Sequence, residues 1–388
     1  MLSPAGDLIK LRRAIEYGAD AVYIGGRFGL RAGASVDDMD MKEAVKFAHE
    51  HGRKVYVTVN IYARNRDLDA VRDYVIGLEK IGVDAVIVAE LGVLKIVREN
   101  TKLCVHISTQ ANILNKYAAD EYIKLGASRI VLARECSIDE IREIATHVAG
   151  RCEIEVFVHG AMCISYSGRC MLSNYMIGRE ANRGECAHPC RWKYTMIEEK
   201  RPGEAFTMEQ DAHGTYVMNS RDLCLVGHLG ALADAGVTSF KIEGRTKSEY
   251  YVASVTSLYR RTLDALLGGL RPPNPLLESD KIPHRPYTTG FVFNDDTMFT
   301  AHPNPVSTHD VVAVCLGGER VELRNAFCVG DVLEIVAPDA NHNKTFTVAE
   351  IRDDHGVAVP RANKPAHVYQ IKCPIKLGEN YFLRKTRN

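Results

Sequence analysis

The chain has 388 residues, 46% hydrophobic and 25% charged, with 49 basic residues balanced by 49 acidic ones. Such a length and composition exclude a disordered, collagenous or small disulfide-stapled protein, and they fit a soluble chain of two domains, one of them large. Zero net charge argues neither for nor against a nucleic-acid partner; no apolar run reaches the roughly 18 residues that span a bilayer, no signal peptide is expected, and eleven cysteines are then expected to be reduced core residues and ligands of a cytoplasmic protein.

Over the first 160 residues or so, β-branched runs alternate with amphipathic helical segments. An opening strand is predicted near Met1–Pro4, followed by Ala21–Gly25, Lys54–Asn60, Asp84–Glu90, Cys104–Gln110, Arg129–Glu135 and Glu153–His159. Nearly continuous apolar strands of this length belong to parallel sheets covered by helices. Tyr17-Gly-Ala-Asp20, Ile81-Gly-Val-Asp84, Leu125-Gly-Ala-Ser128 and Ala235-Gly-Val-Thr238 each end a helix with glycine and turn straight into a strand, as a left-handed C-cap requires. With a last strand at Ser239–Gly244, the economical architecture is α/β, a (β/α)8 TIM-like barrel. A doubly wound open sheet is the alternative, disfavoured because no Gly-rich phosphate loop follows the first strand.

The alternation breaks after His159, where an insertion around residues 160–230 interrupts the barrel; long insertions in compact domains are usually functional. A helix over Lys247–Leu267 closes a catalytic domain predicted to cover residues 1–270. A Pro-rich linker over 271–284 follows. In residues 285–388 the short runs Val311–Cys315, Arg320–Arg324, Asp331–Val336, Thr345–Val348 and Tyr381–Arg384 predict a small all-β barrel.

Four cysteines of the insertion, Cys163, Cys170, Cys186 and Cys190, are separated by Gly, Ser, Asn, Arg and Pro, residues that bend the backbone so that several thiols can converge. Cys104, Cys136, Cys152, Cys315, Cys328 and Cys373 lie in or beside apolar runs and read as core. Intervals of seven, sixteen and four do not form the paired pattern of a zinc ribbon, whereas iron–sulfur clusters accept irregular spacing. On the residues alone an iron–sulfur cluster, a structural zinc and no metal all stay open. Cys224 is a reserve ligand, its plainer reading a core cysteine.

In a (β/α)8 barrel reactive groups project from the carboxyl ends of the strands. Those positions carry Asn60, Glu90, Ser108 with Gln110, Arg134 with Glu135, His159, and Lys241, Glu243 and Arg245. A single charge there is most often solvated or ion-paired, but so many polar strand ends describe a pocket. Arg134, Lys241 and Arg245 suit it to a small anionic ligand. His159, Glu135, Glu243 and Lys241 are the candidate catalytic groups; Arg134, Arg245, Gln110, Asn60 and Trp192 are the candidate substrate contacts. Neither H-E-x-x-H nor G-x-S-x-G occurs, so neither a zincin nor a hydrolase elbow is supported.

Leu2-Ser-Pro-Ala-Gly6, Gly18-Ala-Asp-Ala-Val-Tyr-Ile-Gly25, Glu155-Val-Phe-Val-His-Gly-Ala-Met-Cys163, Ser167-Gly-Arg-Cys170, Gly184-Glu-Cys186 with Cys190-Arg-Trp192, and Lys241-Ile-Glu-Gly-Arg-Thr-Lys247 together resemble the collagenase-like peptidase U family over essentially the whole chain. Arg201–Glu204, His213–Tyr216 and Met218–Asp222 are most similar to its prephenate-dependent tRNA uridine 5-hydroxylases. The resemblance implies oxygen-independent hydroxylation of the wobble uridine of tRNA and a 4Fe-4S cluster on Cys163, Cys170, Cys186 and Cys190. It also implies prephenate as cosubstrate or ligand, and an electron donor outside the chain. Related branches act on ribosomal RNA cytidine or a quinone ring, and one quinone branch takes a ligand from farther along, which keeps Cys224 in view. The C-terminal barrel favours RNA, and the residues offer no chemistry for the peptidase name. Arg191, Lys193, Lys200 and Arg201, together with Lys372, Lys376, Arg384, Lys385 and Arg387, are the expected RNA-facing cations. Trp192, Tyr166 and Tyr194 either stack on an extruded base or shield the cluster.

Overall fold

Eight short strands, nearly all of their residues buried, run parallel and close on themselves. The computed structural model describes residues 1–30, 38–192, 210–211, 214–215, 220–270, 274–295 and 306–387. The first seven barrel strands are β1 (Leu2–Ala5), β2 (Ala21–Gly25), β3 (Lys54–Val59), β4 (Ala85–Val88), β5 (Cys104–Ile107), β6 (Arg129–Val131) and β7 (Glu153–Ala161). Between them run α1 (Leu8–Glu16), α2 (Asp38–Glu50), α3 (Leu68–Ile81), α4 (Leu91–Asn100), α5 (Lys116–Lys124) and α6 (Ile138–Val148). The far end of β7 then takes on an antiparallel partner, β8 (Asp222–Cys224), before β9 (Ser239–Ile242) bonds to both β7 and β1 and seals the ring. This is the predicted (β/α)8 barrel, not the open sheet.

Local chemistry explains the helix starts. Ser137 accepts the Glu140 N–H while the Glu140 carboxylate takes the Ser137 N–H, a capping box that opens α6. Glu90 caps α4, its carboxylate accepting from the N–H groups of Gly92 and Val93 at 2.8 and 3.0 Å. One of the polar strand ends is thus a helix cap.

The barrel interior is not wholly apolar. Leu2, Ala21, Tyr23, Tyr56, Ala85 and Ile87 form a buried cluster, and Glu155 is fully buried among polar partners. Its carboxylate accepts from Lys241 Nζ at 2.9 Å, Ser239 Oγ at 2.8 Å and Arg129 Nη1 at 3.2 Å. Two cations therefore compensate one acid, the condition under which a buried charge survives.

Two compact units divide the chain, one of residues 1–15, 19–247 and 284–305, the other of residues 16–18, 248–283 and 306–388. These bounds differ from the predicted 1–270, 271–284 and 285–388. In the first unit β10 (Tyr287–Thr288) pairs with β8. In the second, α7 (Glu249–Leu267) contributes Tyr250 and Ala253 to a core with Val314, Val336 and Phe382. The second unit's sheet has seven antiparallel strands and curls around Val312, Leu323, Phe327, Leu333, Ile335 and their neighbours.

That sheet corrects the predicted basic face. Arg384 is 0% exposed and donates to Glu334, to Glu278 at 2.7 Å and to Asn343 at 3.0 Å. Lys385 pairs with Asp331 at 3.0 Å and Arg387 with Asp310 at 2.8 Å, whereas Lys372 and Lys376 are exposed. Lys193, Lys200 and Arg201 lie outside the described residues, as do Tyr194, Arg201–Glu204, Tyr216 and Met218. No helix among the described residues is long and apolar enough to cross a membrane.

Candidate active site

Beyond β7 the chain turns over the barrel mouth, and two glycines show why it can. Gly160, near the end of β7, adopts φ +105, and a Cβ there would lie 2.6 Å from the Glu243 carbonyl oxygen, so the end of β7 and the residue after β9 touch through bare backbone. Gly168, at φ +76, lies so close to Tyr62 and Gln110 that a Cβ would meet both at 3.1 to 3.2 Å. The later part of the segment is pinned by Arg183, whose guanidinium forks onto Asp67 at 2.7 and 3.2 Å. Those bonds hold the Asp67 carboxyl at about 2. The Tyr62 N–H donates to the Asn182 carbonyl at 3.2 Å, a second tie between the same two segments.

These constraints place Cys163, Cys170, Cys186 and Cys190 on the wall of one cavity. Asn60, Ser108, Gln110, Arg134, Lys241, Glu243 and Arg245 line the same space. Cys163 is exposed and the other three are half-buried. Burial pushes the Cys190 thiol up, Arg191 works against that, and Cys163, Cys186 and Cys170 add to it, so the four sulfurs sense one another. Among the described residues, no three His, Cys, Asp or Glu side chains converge closely enough to hold a single metal ion.

The cations are held by the protein in different ways. Lys241 is locked onto Glu155 and lies 4.7 Å from the centre of the Tyr23 ring, so its charge is already matched. Arg134 donates to the Ala161 carbonyl at 3.1 Å and lies over the Phe157 ring at 4.1 Å. Arg245 donates to Thr58 Oγ1 at 3.2 Å and to the Leu30 carbonyl. Glu243 Oε2 accepts from the Tyr23 hydroxyl at 3.1 Å.

Four predicted residues are not on the cavity wall. His159 is 1% exposed, and its ring centroid lies 5.6 Å from that of Tyr287. Glu135 is half-buried outside the lining, burial pushing its carboxyl up. Trp192 is exposed at the end of the segment. Cys224 is buried on β8 and pairs with His159, away from the four cysteines, which fits its reading as a core residue. Sequence reasoning missed Glu155, although a glutamate flanked by Ile154 and Val156 inside a largely apolar strand was a readable sign of a buried counter-ion.

Burial holds His159 and His106 near 3, chiefly by excluding water from the charged ring, so both imidazoles are neutral. An imidazole with a depressed folded value binds its proton more readily when unfolded, near 6.5. The stability these two contribute is complete above about pH 6.5 and is lost as pH falls toward 3. The thermal midpoint, followed by circular dichroism, should drop between pH 7 and 5, and His159→Phe should flatten that slope.

The family described as "Peptidase family U32" matches residues 6–300, and "Peptidase family U32 C-terminal domain" matches residues 307–384. The chain is 37% identical over 436 residues to tRNA hydroxylation protein P of Escherichia coli (strain K12), covering 99% of this chain and 95% of that one. It is 37% identical over 405 residues to tRNA hydroxylation protein P1 of Bacillus subtilis (strain 168), covering 99% and 94%. The 23S rRNA 5-hydroxycytidine C2501 synthase of Escherichia coli is 42% identical over 268 residues, 69% of this chain and 39% of that protein. On matches that span both its compact units, the chain belongs to peptidase family U32.

Proposed function

We propose that this protein is an RNA hydroxylase that converts the wobble uridine of tRNA to 5-hydroxyuridine without molecular oxygen. Exchange of C5–H for C5–OH removes two electrons from uridine, so prephenate serves as the co-reactant that takes them up. A 4Fe-4S cluster would be held by Cys163, Cys170, Cys186 and Cys190, and the electron donor outside the chain only sets the redox state of that cluster. The observation that carries this reading is the convergence of those cysteines and the polar strand ends on one cavity. It is supported by tRNA hydroxylation proteins that match 99% of the chain.

The donor set fits a cluster better than a single ion. Four thiolates on one zinc, each at about 2.3 Å, would crowd into near contact with one another. The four thiols stand on one cavity wall at irregular sequence intervals, a donor set a cluster accepts because each thiolate binds a separate iron. When bound, the cluster supplies one-electron transfer. The chain itself binds and orients: Arg134 and Arg245 meet the anionic ligand, Lys241 stays fixed on Glu155 as a buried wall, and the Tyr23 hydroxyl directs the Glu243 carboxylate, the cavity group placed to hold or move a proton. His159 and Glu135 take no part at the reacting atoms.

The RNA-facing surface is the rim of the cysteine segment, where Tyr166, Tyr175 and Trp192 are 45%, 85% and 37% exposed beside exposed Arg169 and Arg179. Stacking on such rings contributes roughly 1 to 3 kcal/mol per base. Tyr175→Ala should therefore raise KM for tRNA about 10-fold or more and leave KM for prephenate unchanged. The C-terminal unit adds a second contact through Lys372 and Lys376. A cut at Pro272, outside the described residues, would divide the second unit, so the better probe is Lys372→Ala with Lys376→Ala. Each phosphate contact removed should flatten the salt slope of tRNA binding by about 0.7 to 0.9.

Deleting the gene and digesting total tRNA to nucleosides tests the function. Loss of 5-hydroxyuridine and its derivatives is expected. Intact tRNA nucleosides with loss of 5-hydroxycytidine from ribosomal RNA would transfer the activity to the substrate of the 42% identical relative.

A further inference from the structure

The polar strand ends on the cavity wall form one directed chain of hydrogen bonds. The Leu30 N–H donates to Asn60 Oδ1 at 3.0 Å, which fixes Asn60 Nδ2 on the opposite side as a donor. That nitrogen donates to Gln110 Oε1 and, at 3.4 Å, to Ser108 Oγ. Ser108 Oγ in turn donates to Gln110 Oε1 at 2.8 Å. With its oxygen accepting from Asn60 and Ser108, the Gln110 amide has one favoured orientation, because the flipped form would set its NH2 against the Asn60 NH2, whose own orientation Leu30 fixes.

Gln110 is 3% exposed, lines the cavity of the four cysteines, and its Nε2 has no hydrogen-bond partner among the described residues. Arg134 Nε, on the same wall, is likewise buried without one. Buried donors are normally satisfied, and those left open in a cavity beside a fixed cation mark where an acceptor belongs.

We propose that Gln110 determines ligand specificity: its amide N–H, aimed by Asn60 and Ser108, donates to a carboxylate or carbonyl oxygen of the small anionic ligand whose charge Arg134 meets. This rests on the reading of the cavity as a prephenate site and deepens it. Arg134 recognises charge, whereas Gln110 distinguishes an acceptor oxygen from a group that presents its own hydrogen. A ligand with a donor at that point would leave two N–H groups opposed and be rejected.

The test is calorimetric titration of prephenate into anaerobically prepared, cofactor-loaded full-length protein. Wild type is compared with Gln110→Met, which keeps the length and removes the N–H, and with Gln110→Glu, which keeps the shape and turns the donor into a charged acceptor. Gln110→Met should weaken binding about 10-fold and Gln110→Glu about 100-fold at ~pH 8, with iron content and visible absorbance unchanged. Lowering the pH to ~6 should restore much of the Gln110→Glu loss, because a protonated carboxyl donates as the amide did, a recovery that a packing role would not give. Should Gln110→Met fail to fold, that recovery decides alone. Equal prephenate binding by wild type and both variants overturns the role of Gln110 and leaves the prephenate reading standing. Wild-type protein that does not bind prephenate overturns both. Unchanged prephenate affinity with weakened tRNA affinity in the variants would assign the N–H to a nucleobase, against the proposal.

Discussion

Replacing Cys163, Cys170, Cys186 or Cys190 singly by alanine is expected to abolish RNA hydroxylation and to strip iron from the anaerobically purified protein. All four line one cavity, and no other cysteine does. Changes in the groups that merely support metal ligands cost about 10- to 100-fold in affinity or activity, so loss of a ligand itself should exceed that. Cys224→Ala and Cys136→Ala are the controls, both buried away from the cavity, and should keep iron and activity while losing some stability from the smaller side chain. Iron and labile sulfide assayed beside tRNA nucleosides would decide it. Full activity in any one of the four variants would remove that residue from the ligand set.

Glu155→Ala should be the most destabilising single change in the barrel. It leaves Lys241, 3% exposed, and Arg129 without the carboxylate that both contact at 2.9 and 3.2 Å. Breaking one side of a buried pair costs about 3 to 5 kcal/mol, most of it the stranded charge, and denaturant unfolding would measure it. Adding Lys241→Met should recover part of the loss, because the stranded ammonium is removed with its partner. The pH dependence has a defined sign. Burial opposes the charge of Glu155, yet Lys241 and Arg129 outweigh it and hold the carboxyl at about 2. A depressed carboxyl contributes stability that is complete above its unfolded value, near 4.3, and is lost as pH falls through the folded one. Wild type should therefore lose this part between about pH 4.3 and 2, and Glu155→Ala should lack that phase.

The barrel was legible because its strands are nearly continuous apolar runs such as Val55–Val59, broken only by Thr58, and Ala85–Val88, for which a parallel sheet covered by helices is the natural burial. The cysteine site was legible for the opposite reason, since four thiols among turn residues have no core to enter. What failed was the direction of single side chains. Alternation along β7 turns Glu155 and Phe157 inward and predicts the same of His159. The register against β9 slips between Lys241 and Ile242, and the His159 ring lies by Tyr287 instead. Arg134 and Glu135 are adjacent, and only the arginine reaches the cavity wall. Arg384 looked like a surface cation because the acids that bury it, Glu334 and Glu278, are 50 and 106 residues away in sequence. No local pattern reveals such partners.

The most direct measurement is made on unmodified tRNA incubated without air with the purified iron–sulfur protein, prephenate and a chemical reductant, then digested and analysed by mass spectrometry. 5-Hydroxyuridine is expected at the wobble position, dependent on prephenate and absent with the Cys163→Ala protein. Stoichiometric zinc without labile sulfide in the active preparation, or 5-hydroxyuridine formed equally without prephenate, would contradict this assignment.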